Sequence, residues 1–253
     1  MATVSRAFKA KSISRRMSSV PVESVTDLKT CSTEIIESDM GLSLHRRHFI
    51  ATSLLASVGG LTHAATPGGR TILVLGDSLS AEYGLKRGSG WVALLEQRLS
   101  KQKITATVVN ASISGDTSSG GRSRLSALLA QHRPSHLIIE LGGNDALRGL
   151  SLEMTRENLN QMTRSAQEAR IRVLLLGMQM PPNYGRDYSE RFTAMFAEVA
   201  KTNKAALVPF LLKGIADASD SARLFQPDRI HPTAEAHPQM LDNVWPELRK
   251  LLK

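Results

Sequence analysis

Residues 71–84 read TILVLGDSLSAEYG, an apolar run that breaks at Gly76 into Asp77 and Ser78. A run this short, apolar on both faces and closed by a turn residue, is the pattern of a buried strand in a sheet covered on both sides. The pattern recurs at 104–109, 136–141, 173–178 and 205–210. Helix-period segments follow at 89–100, 119–132, 153–169, 187–203 and 233–252; in the first, Trp91, Leu94, Leu95 and Leu99 fall on one stripe. Five strands alternating with helices predict a single three-layer α/β domain, a five-stranded parallel sheet with helices on both faces.

Ligands bind such sheets beyond the C-terminal ends of the strands. The loops expected there are Gly76–Ser80, Ala111–Gly115 and Gly142–Asp145, all polar and Gly-bearing. Ser78 can be read as a helix N-cap, or as a nucleophile whose hydroxyl sits at a helix N-terminus, where free amides favour developing negative charge. The second reading requires a base, and the base an orienting acid. Of seven histidines, His45, His48 and His63 fall in the N-terminal segment, and His132 and His136 flank Pro134 on the opposite rim. His237 has polar neighbours and is expected on the surface. His231 remains, in QPDRIHPTAEA, with Pro232 expected at the first position of the last helix. Asp228 precedes it by three residues, a spacing that on one tight turn sets a carboxylate beside Nδ1 and leaves Nε2 for the Ser78 proton. Gly115 and Asn144 stand where a backbone and a side-chain amide could serve as oxyanion donors, although each also suits a simple turn.

GDSLS, NASISGDTS, ELGGNDALRG and DRIHP, in this order and spacing, resemble the four blocks of the SGNH (GDSL) hydrolase superfamily, and specifically its bacterial thioesterase/arylesterase/lysophospholipase branch. The resemblance spans residues 70–253. It implies a flavodoxin-like sheet, Ser78 as nucleophile with Asp228 and His231, and an oxyanion hole from the Ser78 amide, the Gly115 amide and Asn144. It also implies ester or thioester hydrolysis through an acyl-enzyme, without cofactor or metal, on small-molecule or lipid esters. Glu82 departs from the pattern, since relatives tend to have Gly before the Tyr, and an acid there is expected to bear on substrate preference. Asp77 is expected to cap the turn rather than do chemistry. The segment GMQMPPNYGRDY, 177–188, leaves the fourth strand on the same rim and is apolar for a loop. Met178, Met180, Pro181 and Tyr184 are therefore expected to cover the acyl site. Within the enzyme class the nearest competitor is an acetylated-carbohydrate esterase. A flavin or phosphate binder would use the same fold, but it leaves Asp228 and His231 without a role and expects more aromatic residues.

Composition sets the remaining bounds. The chain has 253 residues, 42% hydrophobic and 22% charged, enough for one sizeable core. Lys and Arg number 32 against 23 Asp and Glu, yet the charges are scattered and aromatics make up only 4%. Neither favours a nucleic-acid partner. A single cysteine, Cys31, excludes an intrachain disulfide. Residues 45–65 run from Arg46-Arg47 through an apolar stretch to Ala64-Ala65, as an export signal does, and the arginine pair resembles the twin-arginine type. The stretch is too short for a typical membrane span, so no stable membrane insertion is expected. The expected organisation is an extension or mis-assigned start at 1–44, a signal at 45–65, and a hydrolase domain at 66–253 working in the periplasm or outside the cell.

Overall fold

The computed structural model describes residues 69–253. The expected signal at 45–65 and the extension at 1–44, with Cys31, His45, His48 and His63, lie outside the described residues. Five strands, β1 (Arg70–Gly76), β2 (Ala106–Asn110), β3 (His136–Glu140), β4 (Arg172–Leu176) and β5 (Ala206–Val208), form one parallel sheet in the order 2-1-3-4-5. This is the flavodoxin-like order. Around it run α1 (Trp91–Lys101), α2 (Ser118–His132), α3 (Gly143–Leu147), α4 (Leu152–Glu168), α5 (Arg186–Asn203) and α6 (His237–Leu251).

The layering follows from the hand of the crossovers. Parallel strands join through right-handed connections, and the step from β1 to β2 runs opposite to the steps from β2 through β5. Hence α1 packs with α6 on one face, and α2, α4 and α5 pack together on the other. With both faces covered, Ile72, Leu73, Val74, Leu137 and Ile138 lose all contact with solvent. The order reverses between β1 and β3, and a crevice opens there beyond the strand ends. Among the described residues no helix is long and apolar enough to cross a membrane.

The strands begin and end within a few residues of expectation, and four local features differ. β5 stops at Val208 because Pro209 has no N–H to continue the ladder. No helix follows β1 directly: residues 78–87 run through turns and α1 starts only at Trp91. A five-residue helix, α3, begins inside what reads as a Gly-rich loop. Pro232 does not open the last helix. It forms an isolated antiparallel bridge with Phe225, and Pro238 occupies the first turn of α6 instead.

Candidate active site

Ser78 leaves the C-terminal end of β1 on a single tight turn. The Asp77 carbonyl accepts from the amides of Ser80 (3.2 Å) and Ala81 (2.9 Å), one turn of helical bonding followed only by a long, wider contact from the Tyr83 amide to the Ser78 carbonyl (3.4 Å). The expected helix N-terminus at Ser78 is therefore absent. Asp77 caps the turn as expected, its Oδ1 accepting from the Leu79 amide at 3.0 Å. Its Oδ2 does more, accepting from Asn144 Nδ2 at 2.9 Å across the switch point. Gly76 is required by close approach: a Cβ there would stand 2.8 Å from both Glu140 Oε2 and Ser80 Oγ.

His231 reaches Ser78 from the far loop. Its Nε2 lies 2.9 Å from Ser78 Oγ, and its Nδ1 lies 2.7 Å from Asp228 Oδ2. The other Asp228 oxygen accepts from the amides of Ile230 (2.9 Å) and His231 (3.0 Å). The turn is so tight that Arg229 takes a left-handed backbone, φ 58°. The His231 ring, then these two amides, hold the Asp228 carboxyl down to about 2. The loop is tied to the Ser78 turn by Gln226, whose Nε2 donates to the carbonyls of Tyr83 (2.9 Å) and Pro232 (3.1 Å). The Tyr83 ring packs against His231 with centroids 4.3 Å apart.

Gly115 has φ 80°, a conformation that favours glycine. Its carbonyl accepts from Arg148 Nη2 at 2.8 Å. The amides of Ser78 and Gly115 have no hydrogen-bond partner among the described residues. Asn144 sits on α3, which the buried Asp145 pins by accepting from Ser118 and Thr155. One Asn144 N–H is taken by Asp77, and the second is free to donate.

Beside Ser78 opens a cavity of about 240 Å³ lined by Met178, Met180 and Pro181. Tyr184 does not line it; it stands in a short 3-10 turn, half exposed, beyond the prolines. Leu147, Phe210, Leu212, Phe225 and Ile230, none of them expected from sequence, supply most of the remaining apolar wall. Glu82 is also absent from that lining. Its carboxylate accepts from the amides of Gly88 and Gly90, which closes the loop ahead of α1 and braces its own left-handed backbone, φ 60°. His237 is not on the surface: it is buried, and its Nδ1 accepts from the Trp91 amide at 3.0 Å. His136 is structural, held between Ser135 Oγ and the Leu251 carbonyl. Among the described residues no cluster of His, Cys, Asp or Glu could hold a metal ion.

A 2-1-3-4-5 sheet with a hydrogen-bonded Ser–His–Asp chain at its switch point defines a class of α/β enzymes built to activate a hydroxyl. Comparison with known proteins narrows the class. Residues 74–238 match the GDSL-like Lipase/Acylhydrolase family. The chain is 50% identical over 183 residues to Esterase TesA of Pseudomonas aeruginosa, covering 72% of this chain and 90% of that one. It is 41% identical over 182 residues to Thioesterase 1/protease 1/lysophospholipase L1 of Escherichia coli, covering 72% and 85%. Among solved structures, the psychrotrophic esterase EstA from a Pseudoalteromonas species, inhibited by monoethylphosphonate, matches with a TM-score of 0.68 at 41% identity, covering 72% of this chain and 98% of that one. This chain belongs to the GDSL-like lipase/acylhydrolase family and is an ester-hydrolysing enzyme.

Proposed function

We propose that the protein is an exported serine esterase that cleaves carboxylic esters and thioesters through an acyl-enzyme. Ser78 Oγ attacks the carbonyl carbon while His231 Nε2 takes its proton. Asp228 fixes the imidazole tautomer and stabilises the imidazolium. The Ser78 and Gly115 amides and the free N–H of Asn144 receive the oxyanion. His231 then returns the proton to the leaving alcohol or thiol, and water repeats the sequence to free the acid. The observation that carries this reading is the unbroken chain Ser78 Oγ–His231–Asp228, with contacts of 2.9 and 2.7 Å.

The cavity supports acyl chains as the recognised group. Apart from the Ser78 constellation, Gln179 and Arg229, its walls are apolar side chains, chiefly Met, Leu, Ile, Phe and Pro, which suit lysophospholipids, aryl esters and acyl thioesters better than an acetylated carbohydrate. The names of the relatives point the same way. Met178, Met180 and Pro181 cover the chain. Export rests on residues 45–65, with a mature N-terminus near Ala65 and a periplasmic or extracellular place of action. The test is hydrolysis of p-nitrophenyl esters from acetyl to palmitoyl. Rising kcat/KM from acetyl to medium or long chains is expected, and a preference for acetyl would overturn the acyl-chain assignment.

A further inference from the structure

β3 ends on an acid that the proton relay does not use. Every residue of His136–Glu140 is buried, and Glu140 has no exposure at all. Its Oε2 accepts from the Asp77 amide at 3.2 Å and from the Ser80 hydroxyl at 2.8 Å. That hydroxyl in turn accepts from Trp91 Nε1 at 3.2 Å. Asp77, also buried, gives its two oxygens to the Leu79 amide and to Asn144. The Glu140 carboxyl therefore lies against the Asp77 backbone beneath the Ser78 turn, and its second oxygen, Oε1, is buried with no hydrogen-bond partner among the described residues.

The groups that face this pair come from every neighbouring element. His231 stands beyond Asp77 on the 225–232 loop. Arg124 on α2 turns its guanidinium to the carbonyls of Gly76 and Ala111 and pairs with Asp116. His237, at the start of α6, lies behind Trp91. Among the described residues no cation hydrogen-bonds Glu140, and two neighbouring buried carboxyl groups without a cation do not both ionise.

We infer that Glu140 is a positioning residue for ester hydrolysis: held as a neutral acid, it donates its proton to Asp77 and so keeps Asp77 a singly charged acceptor that aims Asn144 at the oxyanion. It acts through Asp77 and touches no substrate. Burial, then the Asp77 charge, pushes the Glu140 carboxyl well above its ordinary value, and burial raises Asp77 to about 6. A glutamine keeps both the donor and the neutrality, whereas an alanine removes the donor and also the acceptor of the Asp77 amide.

Three measurements on the full chain test this. The first is the thermal midpoint of Glu140→Gln against wild type from pH 5 to 8. A native carboxyl raised above 4.5 keeps a proton that the unfolded chain releases, so wild-type stability falls relative to the variant as pH rises. The Tm advantage of Glu140→Gln should widen by about 5 °C or more over that range; a flat difference would mean an ionised Glu140 and overturn the assignment. The second is kcat and KM on p-nitrophenyl butyrate. Glu140→Gln should stay within about threefold of wild type, while Glu140→Ala should lose roughly 10- to 100-fold in kcat with KM little changed, a fraction of the loss of a whole oxyanion donor. Equal loss in both variants, or none in Glu140→Ala, contradicts the role. The third adds Glu140→Ala to Asn144→Ala. The added loss should be smaller than in wild type, because the two act as a unit, and a fully multiplicative loss would sever Glu140 from Asn144. The kinetic measurements rest on the mechanism proposed above. The thermal one does not, so a failed mechanism and a failed role for Glu140 give different results.

Discussion

Replacing Asp228 with Asn should be more damaging than the near-identical shape of the two side chains suggests. Oδ1 of Asp228 accepts from two backbone amides, those of Ile230 and His231, and Oδ2 faces His231 Nδ1. In Asp228→Asn the two amides demand an acceptor, so the Asn carbonyl oxygen must stay with them. Its NH2 group is then forced against Nδ1, which can only accept. The imidazole must carry its proton on Nε2, where it can no longer receive one from Ser78. The loss expected for a wrong tautomer is about 10⁴ in kcat, or roughly 5.5 kcal/mol of activation free energy. The opposite Asn orientation would set an NH2 against two N–H donors, which costs more than either hydrogen bond returns. Asp228→Ala removes the orienting group but leaves the tautomer free, and should be no worse than Asp228→Asn. The assay is kcat on p-nitrophenyl butyrate for both variants, with circular dichroism to confirm folding. An Asp228→Asn enzyme that keeps a tenth of wild-type activity, or clearly outperforms Asp228→Ala, would refute this reasoning.

Asn144→Ala should preserve the fold and lower kcat by roughly 10²–10³, the usual loss for one oxyanion donor; unchanged kcat would remove Asn144 from the oxyanion hole. Met180→Ser with Pro181→Gly should lower long-chain kcat/KM by one to two orders of magnitude, roughly, at about 0.8 kcal/mol per uncovered methylene. Acetyl-ester turnover should survive, and a chain-length profile like that of wild type would make the segment a mere connector. Burial lowers His237 from 6.5 to about 4, so the unfolded chain takes up its proton first as pH falls. Folding stability is therefore full above pH 6.5 and should decline towards pH 4, by on the order of 3 kcal/mol from this residue. Urea unfolding of His237→Asn at pH 7 and 4.5 should show a shallower decline, and an unchanged slope would contradict the assignment.

Much of this molecule is legible along the chain because its strands are buried on both faces and the candidate site residues Ser78, Gly115 and Asn144 lie just beyond three of those strands. The 71–75 run and its four counterparts mark the sheet, and Asp228 with His231 needs only one local turn. What stays hidden depends on contacts between distant segments. Glu140 closes an apolar strand, and nothing local says that its carboxyl meets the Asp77 amide and the Ser80 hydroxyl sixty-odd residues away in sequence. His237 has polar neighbours in sequence, yet it is buried and its Nδ1 accepts from the Trp91 amide, 146 residues away in sequence. α3 has five residues, too few for a period to register, and it opens on a glycine. Ser78 looks like the start of a helix because the apolar strand ends there, but Glu82 and Gly84–Gly90 extend the turn to Trp91. In the apolar segment at 177–188, Met178, Met180 and Pro181 line the cavity beside Ser78. Composition alone could not separate these from Tyr184, which the 3-10 turn carries outside the lining.

The most direct test of a serine acyl-enzyme is to find the acyl group. Wild-type protein and Ser78→Ala, each treated with a fluorophosphonate and separately quenched in acid during turnover of p-nitrophenyl butyrate, are digested and read by mass spectrometry. The expected result is one adduct, phosphonyl or butyryl, on the peptide that holds Ser78, with neither adduct nor turnover in Ser78→Ala. An adduct on Ser78→Ala, or continued hydrolysis by that variant at the wild-type rate, would contradict the assignment of Ser78 as nucleophile.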